Sequence, residues 1–224
     1  MAKTRNYQHY CPAARTLEVI GEKWSLLVVR DLLRGPQRFT DLMRFMGGIT
    51  PKWLTQRLRD LEEAGIVDRD SAPGRREVWY RLTAKGRDLG PVVAALAVWG
   101  LEHAMRRPLP GETVHPELMA QGITAYMNAK RVRPSAPVTW EFRFEGGAPQ
   151  RLRFDGERWL VVADVSVDVT MDTTVEGWMG FVYAPPEERT RAAAGLRIAG
   201  DPGKVREFLT LIAAVAPGGQ ALAI

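Results

Sequence analysis

The sequence predicts two fold classes in tandem, a mainly α-helical N-terminal half and an α+β C-terminal half with an antiparallel sheet. Three observations carry this. Up to about residue 107, apolar residues recur at helical spacing. Pro108-Leu109-Pro110-Gly111 then sets two prolines and a glycine within four residues, which makes a linker and not an element. Beyond it, Val138, Trp140, Phe142 and Phe144 alternate with Thr139, Glu141 and Arg143, the period of a strand that buries one face. The expected division is therefore 1–107, a linker at 108–113, and 114–224.

The first half opens on a polar arm, Met1 to Tyr10, followed by helices at Ala13 to Ile20 and Trp24 to Leu33. Gly35-Pro36 closes the second, because proline cannot continue a helix. Phe39, Leu42 and Met43 give a short amphipathic helix, and Gly47-Gly48 a tight turn. The next helix has a clear start, with Thr50 as cap and Pro51 at the first position, and Gly65 as its stop. Ile49, Leu54, Leu58 and Leu61 form its buried face. Steps of about 100° per residue gather Lys52, Thr55, Gln56 and Arg59 on the opposite side. Cations, an amide and a hydroxyl are the groups that read base edges and phosphates in a DNA major groove. Trp24 and Trp53 are expected to pack, since duplex DNA keeps its bases stacked.

Two short strands, Val67 to Asp70 and Val78 to Leu82, follow around a turn that carries Arg75 and Arg76. Helix, turn, helix and hairpin together make a winged helix-turn-helix, with the second helix in the groove and the wing on the backbone. Lys52, Thr55, Gln56 and Arg59 are the expected groove residues. Thr50 and Arg57 are placed near the phosphates, and Arg75 and Arg76 anchor the wing. Thr83 caps a long helical pattern from Ala84 to about Met105, disturbed at Gly90-Pro91. Its residues Val92, Val93, Leu96, Trp99 and Leu101 are too apolar for a lone surface helix, so a second copy is expected to cover them.

After the linker, Pro116 to Lys130 reads as an amphipathic helix and Val138 to Phe144 as a strand. Strands are also expected around Leu152 to Phe154 and, past an Asp155-Gly156 hairpin signal, at Arg158 to Ala163. Val167, Val169 and Met171 alternate again, which sets Asp168 toward solvent. Helices at about Thr174 to Val182 and Pro186 to Ala193, a strand at Leu196 to Ala199, and a last helix opened by Asp201-Pro202 complete an α+β order.

Charge and composition narrow the function. The net charge is +5. Met1 to Arg107 holds 19 Lys and Arg against 12 Asp and Glu, and the remainder 12 against 14. The basic half is the half with the helix-turn-helix, as a polyanion partner requires. One cysteine, Cys11, excludes an intramolecular disulfide framework and suits a reducing cytoplasm. No stretch has the length and apolarity of a signal peptide or membrane span. His9, His103 and His115 lack metal-ligand spacing, and no nucleophile elbow or phosphate-binding glycine loop is present. A protein without enzymatic activity, metal or cofactor is expected.

Several segments resemble the HxlR-type winged helix-turn-helix transcription regulators. They are Cys11-Pro12, Ile20-Gly21-Glu22-Lys23-Trp24-Ser25-Leu26-Leu27, Arg38-Phe39-Thr40-Asp41-Leu42, Ile49 to Leu58, Leu61-Glu62-Glu63-Ala64-Gly65 and Leu82-Thr83-Ala84-Lys85-Gly86. The resemblance implies a prokaryotic cytoplasmic regulator that dimerises through its terminal helices, here by Leu17, Val92, Val93, Leu96 and Trp99, on a partly palindromic operator. Some such regulators sense oxidants through a cysteine near this position, which makes Cys11 a candidate switch. A thiol of that kind needs a nearby cation or helix N-terminus, and Arg15 is the one cation visible.

The C-terminal half resembles the sterol carrier protein type two fold, across Val167-Asp168-Val169-Thr170-Met171 and Leu196-Arg197-Ile198-Ala199-Gly200-Asp201. That likeness implies an apolar cavity, walled by Trp140, Phe142, Phe144, Trp159, Trp178, Met179, Phe181 and Tyr183, for a greasy small-molecule effector. The combined expectation is a homodimeric, sequence-specific regulator of double-stranded DNA, a repressor controlled by that effector. The alternatives are an effector-free regulator whose second half is an oligomerisation module, and a lipid carrier or enzyme accessory protein.

Overall fold

A computed structural model describes residues 6–70 and 77–215. The chain divides into two units, Met1–Val93 and Ala94–Ile224.

In the first unit the elements are α1 (Pro12–Ile20), α2 (Ser25–Leu32), β1 (Gln37–Arg38), α3 (Phe39–Phe45), α4 (Pro51–Glu63), β2 (Val67–Asp70), β3 (Trp79–Leu82) and α5 (Ala84–Arg87). Val28 and Val29 of α2, Leu42 of α3, and Leu54, Leu58 and Leu61 of α4 meet Ile66, Val67 and Leu82 in one core. The three strands form a small antiparallel sheet ordered β1-β3-β2. Its hairpin strands pair from Val67 with Leu82 to Asp70 with Trp79.

The end of α4 is locked to the base of this hairpin. Gly65 takes the left-handed φ of 68° that stops the helix, and Thr83 Oγ1 donates to the Gly65 carbonyl at 2.7 Å. The same hydroxyl accepts from the Gly86 N–H at 3.0 Å as the cap of α5. Lys85 Nζ donates to the Ala64 carbonyl at 2.7 Å. A Cβ on Gly86 would stand 2.2 Å from the Ile66 carbonyl oxygen. Only glycine allows α5 to sit this close.

The single long helix expected from Ala84 is two helices, α5 and then α6 (Gly90–His103). Pro91 is the cause, since its ring collides with the carbonyl four residues back and its nitrogen has no hydrogen to donate. The break falls at Asp88 and Leu89, just before the disturbance read from the sequence. None of the residues of α6 is buried.

The second unit continues with α7 (Pro116–Ala129), β4 (Val138–Phe144), β5 (Gln150–Phe154), β6 (Trp159–Val162), β7 (Val169–Thr173), α8 (Val175–Val182), α9 (Arg189–Ala193), β8 (Arg197–Gly200) and α10 (Pro202–Val215). Its sheet runs β6-β5-β4-β7-β8. The sheet is mixed and not antiparallel throughout, because β7 lies parallel to β4, from Trp140 beside Val169 to Phe144 beside Thr173. Alternation reports which face a residue takes and carries no information on strand direction.

Trp140, Phe142, Phe144, Leu152 and Met171 face Ile123 and Met127 of α7, Trp178 and Phe181 of α8, and Phe208 and Ile212 of α10. On the other face Thr139 and Glu141 were expected in solvent, yet both are buried. Both lie on the central strand. Glu141 is held by Arg143 and Arg151, each at 2.5 Å. Burial pushes its carboxyl up, and the bonds from Arg151 and Arg143 more than offset this, leaving it below its ordinary value. Asp168 likewise is not a free strand residue. It precedes β7, accepts from the Thr139 N–H at 2.8 Å and from Lys204 Nζ at 2.5 Å.

The segment after α6 is clasped. Arg106 reaches both carboxylate oxygens of Glu112 at 2.7 and 2.8 Å, the Leu109 N–H donates to the same group at 2.8 Å, and Tyr183 Oη donates to the Arg106 carbonyl.

Gly86→Ala should lower the unfolding free energy by about 1–3 kcal/mol, the usual cost of overpacking, read from urea titration. The Arg106 and Leu109 bonds hold Glu112 down to about 2. A depressed carboxylate stabilises the folded form above its unfolded value and ceases to as pH falls through the folded one. The clasp's stabilisation should thus be complete at neutral pH and fade as pH falls from about 4.5 to 2, with the carboxyl of the folded protein titrating at about 2. NMR titration of the Glu112 carboxyl checks this, with Glu112→Gln removing that transition.

Candidate nucleic-acid interface

α3, the turn at Gly47-Gly48 and α4 form the helix-turn-helix. Gly48 adopts a φ of 85°, and Ile49 drops into the core. Thr50 Oγ1 accepts from the Trp53 N–H at 3.3 Å, so the expected cap is in place with Pro51 at the first position. The first turn of α4 is fixed by local chemistry.

With Leu54, Leu58 and Leu61 inward, Lys52, Gln56 and Arg59 emerge exposed on the outer face. Thr55 is half-buried and its hydroxyl bonds back to the Pro51 carbonyl at 2.8 Å. Gln56 Nε2 donates to Asp60 Oδ1 at 2.7 Å. Thr50 is exposed at the helix entrance.

Arg57 departs from this set. It is 8% exposed, with its guanidinium 2.6 Å from Asp60 Oδ2 and 3.9 Å from Glu22. It lies on the flank of the leucine face, about 60° round from Leu54, and there it is a buried, ion-paired cation where an exposed one was expected.

Trp53 departs in the other direction. Expected to pack, it is 56% exposed and stands outside the first unit's core. Its angular place, one 100° step from Lys52, lies at the border between the two faces. That border position was the available signal.

The wing tip, with Arg75 and Arg76, lies outside the described residues. Of the hairpin's other cations, Arg81 is engaged by Asp68 at 2.7 and 3.0 Å, whereas Arg69 is exposed. Arg38 binds Glu77 at 2.8 Å and lies over the Trp79 ring.

Among the residues expected at a dimer interface, Leu17, Val92, Leu96 and Trp99 are exposed, Trp99 by 59%. Val93 is half-buried against the first unit's core. Cys11 is half-buried as the cap residue of α1, and the guanidinium of Arg15 is turned to Glu18 at 2.9 Å.

Among the described residues, the rings expected to wall a cavity pack on one another. Trp140 packs on Trp159 at 4.4 Å between ring centres and edge-on against Phe208 at 4.9 Å. Phe142 meets Trp178 edge-on at 5.8 Å, and Phe144 and Phe181 also contact Trp178. Met179 and Tyr183 are half-buried. The hollow lined by Met119, Ile123, Phe142 and Phe144 has no room for a water. The one beside Trp159 measures about 20 Å³, the space of one water. Sheet and helices both contribute aromatic rings, and interdigitation uses up the volume.

Residues 19–108 match the family described as HxlR-like helix-turn-helix. An HTH-type transcriptional regulator of Mycobacterium tuberculosis is 38% identical over 132 residues, which cover 54% of this chain and 82% of that protein. The chain belongs to the HxlR-like helix-turn-helix family. Another HTH-type transcriptional regulator, from Synechocystis, is 42% identical over 89 residues, 39% of this chain and 66% of that one. The redox regulator HypR in its reduced form is a solved structure with 38% identity and a TM-score of 0.38, covering 40% of this chain and 90% of that one. The winged helix-turn-helix and the family thus agree over the first half, while the family match ends at residue 108.

Arg57 and Arg59 give a paired test of the two faces. Arg57→Ala should cost about 2 kcal/mol of stability by stranding the Asp60 carboxylate. Arg59→Ala should stay within about 0.5 kcal/mol, as surface changes do. Thermal and urea unfolding of the two variants read the difference.

Proposed function

We propose that the protein is a homodimeric, sequence-specific regulator of double-stranded DNA, a cytoplasmic transcription repressor in which α4 enters the major groove. The outer face of α4 carries this reading. Lys52, Gln56 and Arg59 stand exposed there, on a helix whose other side is fixed by burial. In this reading Gln56 reads a base edge and Lys52, Thr55 and Arg59 contact bases or phosphates in the groove. Thr50 meets the backbone at the helix entrance, and Arg75 and Arg76 hold the wing to the adjoining phosphates. A second copy covers Leu17, Val92, Val93, Leu96 and Trp99, and its recognition helix takes the next groove. Half-sites then lie about 10 bp apart, or a multiple of it.

The sterol-carrier-like reading of the second unit implies an apolar effector that shifts the spacing of the two recognition helices. Such a ligand must bind the DNA-fitting and non-fitting states unequally. The filled interior favours the alternative for this unit, a structural module that assembles the regulator without an effector. An effector acting there would have to displace rings such as Trp178 and Phe181.

Selection of duplexes from a random pool, followed by binding titrations at several salt concentrations, tests the DNA reading. The wild-type protein should enrich a partly palindromic site and lose affinity steeply with salt. Gln56→Ala should relax preference at one position per half-site, by about 1–3 kcal/mol for a bidentate base contact. A protein that enriches no sequence and shows no salt dependence would be a carrier or accessory protein instead.

A further inference from the structure

Trp53 is a large side chain of α4 whose placement the first unit's core does not explain. Its N–H is held by the Thr50 hydroxyl at 3.3 Å, which fixes the residue at the third position of α4. The ring nevertheless leaves the core and is 56% exposed. Gln56 lies one turn further along the same flank, and Lys52 is the adjacent residue of the outer face.

The N-terminal turn of a recognition helix is the part that meets base edges. The major groove offers hydrogen-bonding groups on every base pair but one apolar group only, the C5-methyl of thymine. Insertion between stacked bases is a minor-groove device, which the groove-facing side of α4 does not allow. The geometry points to Trp53 as a specificity-determining residue that packs its indole on a thymine methyl beside the base pair read by Gln56. This rests on the DNA-binding reading above.

The test uses the full chain and a duplex selected by it. Each thymine of the half-site is replaced singly by deoxyuridine, which removes the methyl and leaves every hydrogen-bonding group. For the wild type, one replacement per half-site should weaken binding by about fourfold, the factor for losing one buried methyl-sized group. Trp53→Ala should bind the unmodified site more weakly and be indifferent to that replacement. Its thermal midpoint should match the wild type, since the ring lies outside the core. Trp53→Leu, still apolar, should recover part of the sensitivity. The proposal is overturned if every thymine tolerates the replacement in the wild type, or if Trp53→Ala keeps the same sensitivity. Specific, salt-dependent binding that survives either result leaves the DNA-binding reading intact. Selection that enriches no duplex would remove both.

Discussion

The burial of the inner face of α4 is the constraint on which the first unit depends. Leu54, Leu58 and Leu61 are each at most 1% exposed, so rotation of the helix about its axis would expose a leucine or bury a charge. Either change costs more than a surface contact returns. The rotational setting of α4 therefore decides which side chains can reach outward. The Gly65, Thr83 and Lys85 bonds fix its far end, and the Thr50 cap its near end. A helix held in this way presents its outer residues without further ordering, which is what a rigid reading surface needs.

The second unit solves a different problem. Its helices α7, α8 and α10 cover one face of the sheet, and the central strand β4 carries a carboxylate on the other. An ionised Glu141 at 2% exposure requires both of its arginines, because a single partner would leave one oxygen unsatisfied. Arg143 and Arg151 thus act as a local cover for the sheet on that face. The result is a sheet buried at its middle from both sides, though only one side is a hydrophobic core.

Much of the first unit was legible because its signals are local. Thr50-Pro51, Gly47-Gly48 and Gly65 announce their turns and caps by chemistry confined to a few neighbouring residues. The Leu54, Leu58 and Leu61 spacing then sets the inner face. The burial of Arg57 and the exposure of Trp53 were not legible, because both lie at the border of that face, where angle alone does not say whether a long side chain turns in or out. The expectation for Arg57 followed its charge and for Trp53 its apolarity; packing reversed both. In the second unit, strand and helix types were readable from period, but the parallel pairing of β4 with β7 was not, since a period of two is the same in either direction. Glu141 looked solvent-facing because alternation sets Arg143 on its face but does not tell that Arg151 of the next strand stands directly opposite it. The aromatic residues were recognised as interior, yet whether such a set lines a space or fills it depends on rings contributed from the opposite layer.

Asp60 joins two of these properties in one group. Its Oδ2 binds the buried Arg57 and its Oδ1 accepts from Gln56. The amide of Gln56 spends one donor hydrogen on this bond and keeps its other hydrogen and its carbonyl oxygen for an outside partner. Its rotamer is therefore chosen before any partner arrives, which spares the roughly 0.5–1.5 kcal/mol that ordering such a side chain costs on association. If Gln56 reads a base as proposed, changing residue 56 alters what is read and leaves the helix standing. A change at residue 60 alters both the Gln56 rotamer and the Arg57 ion pair at once, so on the proposed reading the amide is the freer of the two positions to vary.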